Sequence, residues 1–240
     1  MVLSAILALV PRASAFDVES YGALLRRYAP AGKVDYGELK KRDWARLDRL
    51  YRGLAGEDLR ELATPDAELA FWMNAYNLIV LRSATKAYPV KDIWAANKDF
   101  FKTPHAVARQ RLSLDDIEQK KIREKFKDAR IHFGVHCGSK SCPLLASKPY
   151  TAENVQEKLD LHARLFVDNE ANVVFDDTAG VLRLSKLFQW YAEDFVRDAG
   201  SVEKFVAKYL PLEKQKVLAS REWKLEYIPY DWGLNAANLR

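Results

Sequence analysis

The chain has 240 residues, 49% hydrophobic and 12% aromatic, a composition that excludes a disordered polypeptide and suits one domain of good size. Its net charge of +5 comes from basic residues interleaved with acidic ones. That pattern reads as a solvated mixed surface and argues against nucleic-acid binding.

The first fifteen residues, MVLSAILALVPRASA, read as a signal peptide. Val2 to Val10 is apolar apart from Ser4, Pro11 ends the run, and Ala13-Ser14-Ala15 has the small-x-small form of a cleavage site. The alternative is a short N-terminal strand or helix. Cleavage after Ala15 would leave a single globular domain over 16–240 and take the charge to +4 by removing Arg12. The apolar run is too short to span a bilayer, and no later segment reaches about eighteen apolar residues. The expectation is export, to a bacterial periplasm or beyond, without a transmembrane segment after cleavage. That compartment is oxidising, which bears on the two cysteines.

Helical spacing then covers 18–29, with Val18, Tyr21, Leu24, Leu25 and Tyr28 on one face, and continues through Trp44, Leu47, Leu50, Tyr51 and Leu54. Thr64-Pro65 marks the next helix start. Residues 67–88 are apolar almost all round, so this helix is central, yet it carries Asn74, Tyr76 and Asn77. Buried amides need partners. These three either tie loops to the core or face a pocket. Residues 89–112 are aromatic-rich without clear period. Ser113 and Asp116 form a weak capping box for a helix over 112–126. RIHFGVHC, from Arg130, alternates as a strand, and Thr151 opens a helix carrying His162. NVVFDDTAGVLRLS reads as two strands around a turn, SKLFQWYAEDFVRDAG as one helix closed by Gly200, SVEKFVAKYLP as a short helix, and WKLEYIPYDWGLN as a strand and loop. The order predicts an α+β fold, helix-rich, with a mostly antiparallel sheet of about three to five strands packed on several helices.

KVDYGEL, AFWMNAYNLIVL, SLDDIE, RIHFGVHCGSKSCP, LSKLFQWYAEDF and YDWGLN, in that order from Val34 to Asn235, resemble the family called domain of unknown function 547. The resemblance implies a papain-like or transglutaminase-like fold with a Cys-His-acid site. The matching positions are Glu118, His132, Cys137 and Cys142, with His136 between them.

The residues test that implication. In a strand, Cys137 and His132 lie on opposite faces and about 16 Å apart, so they form a dyad only if the chain bends sharply at Gly134. Gly138 can turn the chain back, bringing Cys142 near His136 or Cys137. Pro143 suits the first position of a helical turn, whose N-terminus, with Lys140, would lower the Cys142 pKa. Cys142 with His136 as base is the favoured pair on these grounds, and His162 is a further base that suits a core role as well. A Cys137–Cys142 disulfide is the competing outcome, worth about 2 kcal/mol at most. A metal site is disfavoured, because the spacing matches no standard zinc pattern, and no cofactor is expected. Glu118 orients a histidine by family position only. Asp231 is a comparable late acid that could instead hold the C-terminal segment through backbone hydrogen bonds.

Two functions follow. One is a thiol-dependent hydrolase or acyl transferase acting on amide bonds in peptide or envelope-derived material. The other is a non-catalytic binding domain, with a Cys137–Cys142 bridge shaping a recognition loop and the 89–104 segment lining a groove. A redox role is weaker, since the spacing is not Cys-x-x-Cys.

Overall fold

The computed structural model describes residues 16–237; the expected leader, 1–15, lies outside them. Side chains cap the first three helices, the third at Thr64 as the sequence predicts. Asp17 accepts the Ser20 N–H to start α1 (Val18–Tyr28), which buries Tyr21, Leu24, Leu25 and Tyr28. Asp35 caps α2 (Tyr36–Gly53), which kinks at Asp43. Thr64 accepts the Ala67 N–H, with Pro65 following, to start α3 (Pro65–Ala87). This helix is buried continuously from Leu69 to Leu81, and α2 packs along it.

Next come α4 (Ile93–Ala96) and a hairpin of β1 (His105–Val107) and β2 (Gln110–Leu112). The Ser113–Asp116 capping box is present and opens α5 (Leu114–Asp116). The turn then widens to a π-helical stretch, Ile117–Arg123, before α6 (Glu124–Phe126). The helix α7 (Val155–Val167) starts at Asn154, not at Thr151, whose own N–H donates to Asn154 Oδ1. Strands β3 (Val173–Asp176) and β4 (Val181–Ser185) are antiparallel. Then follow α8 (Lys186–Trp190), α9 (Ala192–Ala199), α10 (Val202–Tyr209), α11 (Leu212–Ala219) and β5 (Lys224–Ile228).

The fold is α+β with helices outweighing strands, as expected. The sheet differs. There are two separate small sheets, and the three-stranded one is mixed, in the order β3-β4-β5. Strand β5 reaches β4 only after the four-helix excursion α8–α11, and a crossover of that kind lets it enter parallel.

Three further differences shape the site. The strand expected over 130–137 is a 3-10 turn, Ala129–Phe133, followed by irregular chain. The expected helical turn after Cys142 is absent; the next helix is α7. The single helix expected over 185–200 breaks at Tyr191 (φ −113°, ψ 25°) into α8 and α9, while Gly200 closes it in the left-handed conformation (φ 85°) as predicted.

Buried side chains form two clusters. One gathers α1, α2, α3 and Ile131; the other gathers α7, β4, α8–α10, Ala129 and Phe133. The 3-10 turn thus sends Ile131 and Phe133 into different cores, whereas an extended strand would put both on one face of one sheet.

Candidate active site

The chain bends at Gly134, and close packing there admits only glycine. A Cβ there would lie 2.3 Å from Met73 Cε and 2.9 Å from the Tyr150 hydroxyl. The chain after it finds its backbone partners on α3 instead of on a neighbouring strand. Asn77 Nδ2 donates to Gly134 O (2.9 Å), and Asn77 Oδ1 accepts the His136 N–H (2.8 Å). Asn74 does the same for Tyr150, donating to its carbonyl (2.7 Å) and accepting its N–H (2.9 Å). Both asparagines tie loops to the core, and of the three polar residues on α3 only Tyr76 lines the pocket described next.

That pocket encloses about 180 Å³. Its inner part is lined by Cys137, Cys142, His132, Glu118 and Tyr191, and its outer part by Trp94, Phe101, Trp190, Tyr230 and Trp232. The bend therefore brings His132 and Cys137 to one cavity, which the extended geometry forbids.

Cys137 and Cys142 are both partly exposed free thiols. They are not at disulfide distance. Gly138, at φ 89°, turns the chain back as predicted. The Cys137 N–H donates to Cys142 Sγ at 2.7 Å. Cys137 Sγ contacts Ser139 Oγ (3.0 Å) and the Tyr230 hydroxyl (3.3 Å). Burial pushes the Cys137 pKa up, but hydrogen bonds from Cys142, Ser139 and Tyr230 outweigh it and bring the thiol down to about 7. Cys142 moves the other way, well above its ordinary value, through burial and its contact with Cys137. Burial also holds Tyr230 far above its usual range, so its hydroxyl stays a donor.

The His132 side chain is fully buried, and its Nε2 lies 2.7 Å from Asp194 Oδ2. The same oxygen accepts from Arg123 Nε (2.6 Å), and Oδ1 accepts from Arg197 Nη1 (2.7 Å). Burial pushes Asp194 up, but the hydrogen bonds from His132 and Arg123 hold it well below the usual carboxylate range. An ionised carboxylate can only accept, so Nε2 carries a proton, and Nδ1, which has no partner among the described residues, is the nitrogen that holds the lone pair when the ring is neutral. Tyr191, at the break between α8 and α9, stacks on the ring at 3.7 Å and donates to Glu118 Oε1 at 2.5 Å. Glu118 thus reaches His132 only through Tyr191.

The remaining expected residues lie elsewhere. His136 is buried, donates from Nδ1 to Pro143 O (2.6 Å) and does not line this pocket; burial lowers its pKa. His162 Nδ1 faces Phe133 O at 3.3 Å and lines a different cavity. Asp231 accepts the Gly233 N–H on Oδ1 (2.8 Å), its N–H donates to Ser141 Oγ (2.9 Å), and Lys140 Nζ lies 3.7 Å from its carboxylate. It holds the C-terminal segment against the 138–141 turn. Among the described residues no group of three or more His, Cys, Asp or Glu is arranged to hold a metal. No described helix is long and apolar enough to cross a membrane.

Asp194, Tyr191, Tyr230 and Ser139 escape sequence reasoning about single residues. The only signal for the first two was the motif LSKLFQWYAEDF, which contains both.

No curated protein and no solved structure matches the chain. The family model described as "Protein of unknown function, DUF547" matches residues 59–167. That segment holds α3, Glu118, His132, Cys137 and Cys142, while Asp194 and the Trp190, Tyr230 and Trp232 wall come from chain beyond it. Over this segment the chain is similar to the DUF547 family of proteins of unknown function.

Proposed function

We propose that the protein is a thiol-dependent amide hydrolase or acyl transferase with Cys137 as nucleophile, His132 as base and Asp194 as the group that orients it. The observation that carries this reading is the shared pocket: a thiol lowered to about 7 and a buried imidazole whose unpartnered Nδ1 is its lone-pair nitrogen. Cys142, favoured from the sequence, loses its argument with the missing helix N-terminus, and its raised pKa keeps it a thiol.

In the acylation half, the Cys137 proton passes to His132 Nδ1 and the thiolate attacks the carbonyl carbon. The carbon–nitrogen bond then breaks as the imidazolium returns the proton to the leaving amine. In the second half, Nδ1 takes a proton from water or another acceptor, which attacks the thioester and releases the Cys137 thiol. The ionised Asp194 stabilises the imidazolium in both halves. Arg123 and Arg197 keep Asp194 charged while His132 cycles.

The test is the pH profile of alkylation by iodoacetamide, located by mass, together with trapping of an acyl-enzyme from an activated ester. Cys137 should label first, with a rate rising through about pH 7, and the ester should add one acyl group to it. Preferential labelling of Cys142, or a stable Cys137–Cys142 bridge in the purified protein, would remove the nucleophile and the proposal with it.

Export belongs to the same proposal. Phe16, the first residue after the expected cleavage site, is buried, and its nitrogen lies 3.0 Å from the buried carboxylate of Glu57. Cleavage after Ala15 would set an ammonium on that carboxylate, an ion pair stronger than the amide hydrogen bond. Intact mass of the protein recovered from an exported fraction should start at Phe16; a mass retaining residues 1–15 would refute export by this route.

A further inference from the structure

The outer pocket has a composition that the proposed acyl chemistry does not need. Trp94, Phe101, Trp232, Trp190 and Tyr230 form a continuous arc of ring contacts: 5.4 Å for Trp94–Phe101, 5.4 Å for Trp94–Trp232, 5.9 Å for Trp190–Trp232 and 4.6 Å for Tyr230–Trp232. Trp94 and Trp190 are 40% and 45% exposed, a large apolar surface to leave in water. Facing these rings are two carboxylates, Asp115 and Glu118. No lysine or arginine lines the pocket, although the chain holds 38 of them.

Glu118 is 7% exposed, and its side chain's hydrogen bond comes from the neutral Tyr191 hydroxyl. Among the described residues no Lys, Arg or His lies within ion-pair distance of Glu118 or of Asp115. Lys102 acts on Asp115 only from beyond that distance. A carboxylate buried without a cation is costly. Buried Asp194, by contrast, has two arginines. Glu118 thus lies, without a cation among the described residues, in the cavity that both thiols line.

We propose that the aromatic half of this pocket binds an organic ammonium group carried by the acyl substrate, a proposal that rests on the thiol-acyl reading for the word substrate and on the pocket alone for the ammonium. The ring faces present negative quadrupoles to a cation, and Glu118 and Asp115 supply the counter-charge. An anionic substrate would meet both carboxylates and the same ring faces. A neutral ring could stack on Trp190 or Trp232 but would leave Glu118 uncompensated. The substrate is thus an amide whose acyl part, or whose leaving amine, bears a second, protonated amine.

The experiment separates binding from chemistry by using the Cys137→Ser protein. Butylammonium, 1-butanol and butyrate are titrated while tryptophan fluorescence is followed. Butylammonium should bind about tenfold more tightly than butanol, and butyrate more weakly than either. Asp115→Asn, at an exposed position that does not threaten folding, should cut the butylammonium affinity several-fold and leave butanol unchanged. Equal binding of butylammonium and butanol, preference for butyrate, no saturable response, or an unaffected Asp115→Asn protein would each overturn the proposal. Selective butylammonium binding with an unreactive Cys137 would uphold the ammonium site and sink the hydrolase; an acylated Cys137 with no ammonium preference would do the reverse.

Discussion

His132 and His136 are four residues apart, both buried, and belong to different machines. His132 faces the thiol pocket, stacks on Tyr191, donates to Asp194 and leaves Nδ1 without a partner. His136 is locked through its backbone N–H to Asn77 and through Nδ1 to Pro143 O, closing the loop that carries both cysteines. Residue type is the same; the carboxylate is the difference. With one, an imidazole can hold a proton during turnover. Without one, burial lowers its pKa and it serves as a neutral latch. The cysteines divide likewise: Cys137 Sγ is hydrogen-bonded to the Ser139 and Tyr230 hydroxyls, while Cys142 Sγ is the acceptor of a backbone N–H.

Six substitutions test how deep this division runs. The largest effect should come from the thiols. Cys137→Ser should reduce alkylation of the folded protein by about a hundredfold or more, whereas Cys142→Ala should leave Cys137 reactive, with the lower edge of its pH profile moved upward because a donor to the thiolate is lost. Equal losses in both variants would erase the distinction. Asp194→Asn comes next. It removes the charge shared by His132, Arg123 and Arg197, and should cost about 3–5 kcal/mol, read as a fall in melting temperature of about 10 °C. In the fraction that stays folded, acyl transfer should fall while alkylation of Cys137 persists. A parallel loss of both would make Asp194 purely structural.

On the latch side, Asn77→Ala leaves the His136 N–H buried without its partner and Gly134 O with only the Tyr150 hydroxyl at 3.4 Å, a cost of about 2–3 kcal/mol by denaturant unfolding. Asn77→Asp should rescue the His136 bond only, so recovery to the full wild-type stability would contradict the two-bond account. Tyr191→Phe is the mildest. It keeps the stack on His132 and deletes the hydroxyl bonded to Glu118, for about 1 kcal/mol of stability. A larger drop in acyl transfer than in stability would show that Glu118 acts on the imidazole through Tyr191.

Much of this was legible in the chain before folding. Thr64-Pro65, the Ser113–Asp116 box and Gly200 act locally, through bonds to neighbours within a few residues, and so they read correctly from sequence. The apolar run of α3 announced a central helix, and its two asparagines announced buried partners without saying whose. The choice of Cys142 and His136 followed from treating 130–137 as a strand and Pro143 as a helix start, both local guesses that packing overrode. Gly134 was marked as the one place where a bend would rescue the His132–Cys137 pair; the chain does turn there, and the residue is glycine because Met73 and Tyr150 occupy the space a side chain would need.

The sequence by itself determined what acts within one turn of helix: caps, the buried face of α1, the hairpin-like β3–β4 pair, and the concentration of chemistry between Arg130 and Pro143. Only the tertiary structure decided which histidine meets which thiol. Asp194, Tyr230 and the Trp190–Trp232 wall lie about 50 to 100 residues further along the chain from Cys137, and side chains that far apart meet through the packing of two cores rather than through any local spacing.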